Sequence, residues 1–144
     1  DGALRSYDYL RGQGLSASDI VIYGESIGTA VAVQLAAQVH AKALILEAPL
    51  SSAADVARQH YPYLLVDLLM KDSYRSVDYI EDIGMPLLVI HGDQDRIIPI
   101  EHGERLFAKA KDPKSFAAIP GATHNDLHLF SIDVIAREFI ESIH

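Results

Sequence analysis

The chain has 144 residues, 49% of them hydrophobic and 22% charged, a balance that suits one globular domain and excludes disorder or a coiled coil. Twelve basic residues against twenty acidic ones leave a net charge of −8, so no nucleic-acid partner is expected. The absence of cysteine excludes a disulfide scaffold, a thiolate nucleophile and a Cys-based zinc site.

Short β-branched runs alternate with longer amphipathic segments. Residues 1–11 carry Leu4, Tyr7 and Leu10 on roughly one helical face, and Gly12 and Gly14 end that helix. Ile20-Val21-Ile22-Tyr23 is too short for a helix and reads as a buried strand. Residues 26–39 are rich in Ala, Val and Leu and predict a helix. A second strand is expected over 43–46, a third over 86–90 and a weaker fourth over 115–119. Helical spacing fills 101–111 and 126–143. Between strands two and three, residues 49–84 mix Pro, Ser, Tyr and Leu and read as an inserted, cap-like helical excursion. Its Tyr61, Tyr63, Leu64, Leu65, Leu68, Leu69 and Met70 either line an acyl pocket or pack a helix on the core. Strands alternating with helices imply right-handed βαβ units and a parallel sheet of about four strands. No apolar run reaches the roughly 18 residues of a membrane span, and no signal peptide is visible, so a cytoplasmic protein is expected.

Ligands of open parallel sheets bind beyond the carboxyl ends of the strands, so chemistry is sought just after each strand. After the first comes Gly24-Glu25-Ser26-Ile27-Gly28, a G-x-S-x-G match between a strand and a helix. The glycines let strand and helix approach closely, and the helix N-terminus favours an oxyanion near Ser26. The alternative is a tight turn whose Ser26 merely caps the helix. After the third strand comes Asp95, a carboxylate suited to holding an imidazole tautomer, with Asp93 as local competitor. Both could instead bond their own turn. His124 lies in the loop after the fourth strand, placed to act as a general base or to sit exposed. His128, four residues on, makes a metal pair conceivable, but no third ligand has supporting spacing and no metal or cofactor is expected. The order Ser, Asp, His, each after a strand, separates this set from chymotrypsin and subtilisin. Glu25 and Glu47 either line the site or cap helices, and His91 and Gly92 shape the turn presenting Asp95. His40, His60, His102 and His144 read as surface residues.

These residues resemble the α/β-hydrolase superfamily, nearest to bacterial serine hydrolases of the serine aminopeptidase-like kind. The resemblance runs through residues 20–28, Ala43 to Pro49, His60-Tyr61-Pro62, His91-Gly92-x-x-Asp95-x-x-x-Pro99 and Pro120 to Asp126. It implies an incomplete α/β-hydrolase fold beginning at the helix before the nucleophile elbow. It also implies Ser26 as nucleophile, Asp95 as acid, His124 as base, and the Ile27 N–H as the remaining oxyanion donor. Thr123 stands where many relatives have Gly, which restricts that loop. Such hydrolases normally have about four strands before the elbow strand, including a His-Gly loop that supplies the second oxyanion donor. Their absence, with the start at Asp1, points to part of a larger enzyme, one that a preceding segment could anchor or export. It would leave residues 20–23 as an open edge prone to pair with a second copy. The implied activity is acyl transfer on an ester, thioester or amide. Depalmitoylating-type thioesterase action and a non-catalytic chain acting by association are the alternatives.

Overall fold

The computed structural model describes residues 2–52 and 75–143. Four strands form one sheet in the order β1-β2-β3-β4: β1 is Val21–Glu25, β2 Ala43–Glu47, β3 Leu87–Gly92 and β4 Lys114–Ile119. Every neighbouring pair is parallel, with Val21 beside Ala43, Leu44 beside Leu87 and Leu87 beside Lys114. Helix α1 covers Gly2–Gly12, α2 Gly28–Gln38, α3 Ser76–Tyr79, α4 Ile100–Lys109 and α5 Ile132–Glu141.

β2 and β3 are buried at every position, because helices cover both of their faces. On one face Ile22, Leu44, Leu46, Leu87 and Val89 meet Tyr7 of α1, Val33 and Leu35 of α2 and Leu106 of α4. On the other, Ile45, Leu88 and Ile90 meet Leu127 and the α5 residues Ile132 and Ala136. Each fully buried Leu, Ile or Val among them contributes about 1.5–3 kcal/mol of hydrophobic stabilisation. The two crossover helices α2 and α4 share one face, as right-handed connections between sequential parallel strands require.

Several boundaries differ from the sequence expectation. The first helix buries Tyr7, but Leu10 is exposed. The segment expected as one helix over 126–143 is broken. A 3-10 turn spans Leu127–Leu129, and Ser131, at φ +58°, turns the chain before α5 begins. Residues 53–74 of the cap-like excursion lie outside the described residues, and with them His60 and the Tyr61 to Met70 cluster. Where the chain is described again, Val77, Ile80 and Ile83 pack into the core beside α2. Among the described residues no helix is long and apolar enough to cross a membrane.

Among the described residues β1 is an edge strand paired with β2 alone, and Tyr23 on it is 46% exposed. An apolar groove of about 800 Å³ runs beside it, walled by Val21, Tyr23, Ile132, Ala136 and Ile140.

Candidate active site

The carboxyl ends of the four strands carry the candidate residues to one edge of the sheet. β1 ends in Gly24 and Glu25, and the chain then turns sharply through Ser26, whose φ is +54°. A non-glycine residue rarely takes that conformation, and it costs about 1–3 kcal/mol that the surroundings must offset. Three contacts hold it. The Ser26 N–H donates to the Glu47 carbonyl (2.8 Å), and the Ser26 carbonyl accepts from the Thr29 N–H (3.1 Å) and Thr29 Oγ1 (2.6 Å). Gly24 permits the turn, since a Cβ there would lie 2.8 Å from Ala32 Cβ and 2.9 Å from the Gly28 carbonyl.

The N-cap position of α2 is taken by Ile27, not by Ser26. Ser26 Oγ lies 2.9 Å from His124 Nε2 instead. His124 Nδ1 lies 2.8 Å from Asp95 Oδ2. The ionised Asp95 only accepts, so Nδ1 carries the proton and Nε2 is left to accept from the serine hydroxyl. Asp95 is 6% exposed. Its second oxygen, Oδ1, accepts from the N–H groups of Ile97 (2.9 Å) and Ile98 (2.8 Å). Burial pushes the Asp95 carboxyl upward, but hydrogen bonds from His124, His91 and the Ile98 backbone outweigh it and hold the group well below the ordinary carboxylate range.

Asp93, the competitor, points elsewhere: its Oδ1 accepts from the Gly121 N–H at 2.8 Å. It thereby ties the Asp95 loop to the His124 loop. Gln94 N–H adds a bond to the Ala122 carbonyl (3.0 Å). The His124 loop is braced within itself, with Thr123 N–H donating to Asp126 Oδ1 (2.6 Å) and Asp126 N–H to Thr123 Oγ1 (3.4 Å). Sequence reasoning missed this ring, whose signal was a Thr and an Asp three residues apart around the histidine.

Ile27 is the residue just before α2, and no hydrogen bond from its N–H is seen among the described residues. A cavity of about 220 Å³ opens beside Ser26, walled by Glu25, Glu47, His124, Asn125, Leu127 and His128. Glu47 is buried and accepts a hydrogen bond from the Tyr23 hydroxyl. Burial pushes its carboxyl above the usual range, Tyr23 opposes that and nearby Glu25 adds to it. Burial likewise pushes the Tyr23 phenol up, and donation to Glu47 adds to the shift. Glu25 and Glu47 therefore sit at the cavity rather than capping helices. His128 is exposed beside it, and among the described residues no group of three potential ligands could hold a metal.

One expectation is corrected. His102 is not a surface residue but 2% exposed. It lies on the buried stripe of α4 and turns Nδ1 to the Ser51 N–H (3.2 Å) and Ser51 Oγ (3.1 Å), while Arg105 donates to Ser51 Oγ (3.0 Å). Helical spacing with Leu106 was the available signal. His40 is exposed as expected, and His144 lies outside the described residues.

No family model matches the chain. An uncharacterised protein of Mycobacterium tuberculosis is 39% identical over 145 residues, covering 97% of this chain and 52% of that protein. The human α/β-hydrolase domain-containing protein 17B is 36% identical over 121 residues, covering 81% of this chain and 39% of that protein. The chain thus spans about half the length, or less, of these curated relatives. Among solved structures, an acetyl xylan esterase from Paenibacillus sp. R4 superposes with a TM-score of 0.81 at 17% identity, covering 97% of this chain and 50% of that one. The parallel sheet, the positive-φ serine between β1 and α2 and these likenesses agree: the chain belongs to the α/β-hydrolase superfamily.

Proposed function

We propose that the protein is a serine hydrolase that cleaves an ester, thioester or amide by acyl transfer. The observation that carries this reading is the unbroken hydrogen-bond chain from Ser26 through His124 to Asp95 at the carboxyl edge of the sheet. Ser26 Oγ attacks the carbonyl carbon while His124 Nε2 takes the hydroxyl proton. Asp95 holds the imidazole and offsets its positive charge. The oxyanion that forms faces the Ile27 N–H at the start of α2. His124 then returns the proton to the leaving group, and water releases the acyl group from Ser26 by the same route. This chemistry requires no metal and no organic cofactor. A folded neighbour described as an acetyl xylan esterase supports ester cleavage as the starting assay.

The acidic cavity wall of Glu25 and Glu47 favours neutral or cationic acyl substrates over anionic ones. Esterase and depalmitoylating-type thioesterase action are separated by rates on nitrophenyl esters and acyl thioesters of increasing chain length, with Ser26→Ala as control. Turnover that survives Ser26→Ala contradicts the reading.

A second reading rests on the open β1 edge and the groove beside it. It has the chain act by association, with β1 pairing to a second copy so that two sheets become one. The cap-like role expected of residues 49–84 belongs to the first reading.

A further inference from the structure

Asp95 has a second histidine beside it. His91, at the end of β3, is fully buried, and its Nε2 lies 2.7 Å from the Ile98 carbonyl and 3.6 Å from Asp95 Oδ2. A carbonyl only accepts, so Nε2 carries the proton. Nδ1 has no hydrogen-bond partner among the described residues. It faces Gly103 of α4, where a Cβ would stand 2.6 Å away. The bare glycine is therefore a notch that admits the ring. A hydrogen on Nδ1 would be a buried donor with nothing among the described residues to accept it, so the notch suits the tautomer with its hydrogen on Nε2.

That form does two things. Its N–H pins the Ile98 carbonyl, fixing the backbone whose Ile97 and Ile98 N–H groups hold Asp95 Oδ1. The same N–H also brings its partial positive charge within 3.6 Å of Oδ2, the oxygen that receives His124. The carboxylate is thus held from both oxygens at once. We propose that His91, seated in the Gly103 notch, is a positioning residue that aims Asp95 at His124. The proposal rests on the Ser26–His124–Asp95 reading, for which it supplies the outer support.

The test uses His91→Leu, which removes the donor, and His91→Gln, whose side-chain amide nitrogen can reach the place of Nε2. Nitrophenyl acetate turnover is measured alongside the downfield proton resonance of His124 Nδ1–H, which needs no turnover. His91→Leu is expected to lower kcat about 10- to 100-fold at nearly unchanged KM and to shift or broaden that resonance. His91→Gln is expected to restore most of both. Gly103→Ala, which crowds the ring without touching Asp95, should give the same changes in milder form and serves if His91→Leu does not fold. Unchanged kcat and an unchanged resonance would overturn the positioning role, as would equal losses in the Leu and Gln variants that track only the folded fraction. Those results leave the hydrolase reading standing. Turnover unaffected by Ser26→Ala defeats that reading instead, while the resonance still reports on His91.

Discussion

The main chain of Gly92 lies so close to Ala122 that a Cβ on Gly92 would meet the Ala122 carbonyl oxygen at 2.3 Å. This contact packs the loop bearing Asp95 against the loop bearing His124. Asp93 and Gln94 stitch the same two loops by hydrogen bonds to Gly121 and Ala122. Gly92→Ala should therefore force the loops apart. A loss of about 1–3 kcal/mol in stability is expected from the overpacking, measured by urea denaturation. Activity should fall further than the folded fraction does, because the 2.8 Å His124–Asp95 contact spans the displaced loops.

Asp95 gives the protein a definite acid sensitivity. Its folded-state carboxyl lies below the ordinary value of 3.8. The unfolded chain therefore takes up this proton first as pH falls. The stability that the carboxylate contributes is complete above about pH 3.8 and is lost progressively below it. Asp95→Asn removes that contribution. The stability gap between the parent protein and this variant should be widest near neutral pH and should narrow as pH falls below 3.8, in denaturation curves taken at a series of pH values. A gap that stays constant from neutral pH to below pH 3 contradicts the assigned charge state.

The Thr123–Asp126 ring braces the loop that carries His124, and both of its hydrogen bonds are exposed. Asp126→Ala should cost about 1 kcal/mol or less in stability. Its effect on turnover should be larger than that figure implies, because the imidazole loses its fixed approach to Ser26. Thermal melting and kcat, measured on the same preparation, separate the two effects.

Charge selection by the cavity wall is tested with Glu47→Gln. The parent protein should prefer an ester whose acyl group carries an ammonium over one carrying a carboxylate, and the variant should narrow that ratio by a few-fold. Glu47 also accepts from Tyr23, so Tyr23→Phe is the control for the hydrogen bond. Equal ratios in all three proteins would remove the acidic wall from the account of specificity.

Association through β1 predicts a dimer by sedimentation equilibrium that Tyr23→Lys weakens, because a charge on an edge strand disfavours pairing with another strand. A strictly monomeric species at high concentration argues against that second reading and leaves the first untouched.

Much of this arrangement was legible in the sequence, for identifiable reasons. β2 and β3 are covered on both faces, so they stand out as uninterrupted apolar runs. β4 is covered less completely, and its mixed residues gave a weaker signal. Ser26, Asp95 and His124 could be found because parallel topology places the residue after each strand at one edge, and the structure does bring these three together. What stayed hidden depends on contacts distant in the chain. The polar partner that satisfies buried His102 is Ser51, fifty-one residues away. The value of Gly103 is apparent only once His91 lies against it. The break before α5 arises at Ser131, a serine in a left-handed conformation within an otherwise helical pattern. The left-handed backbone of Ala48 at the end of β2 has no counterpart in residue preference either.

The most direct test of the central claim is covalent labelling of the folded protein by a fluorophosphonate, read by mass spectrometry of the peptide containing Ser26. A nucleophile activated by His124 and Asp95 should give a single adduct on Ser26, absent in Ser26→Ala and strongly slowed in His124→Ala and Asp95→Asn. No adduct on folded protein, or labelling that persists unchanged in Ser26→Ala, would contradict the account.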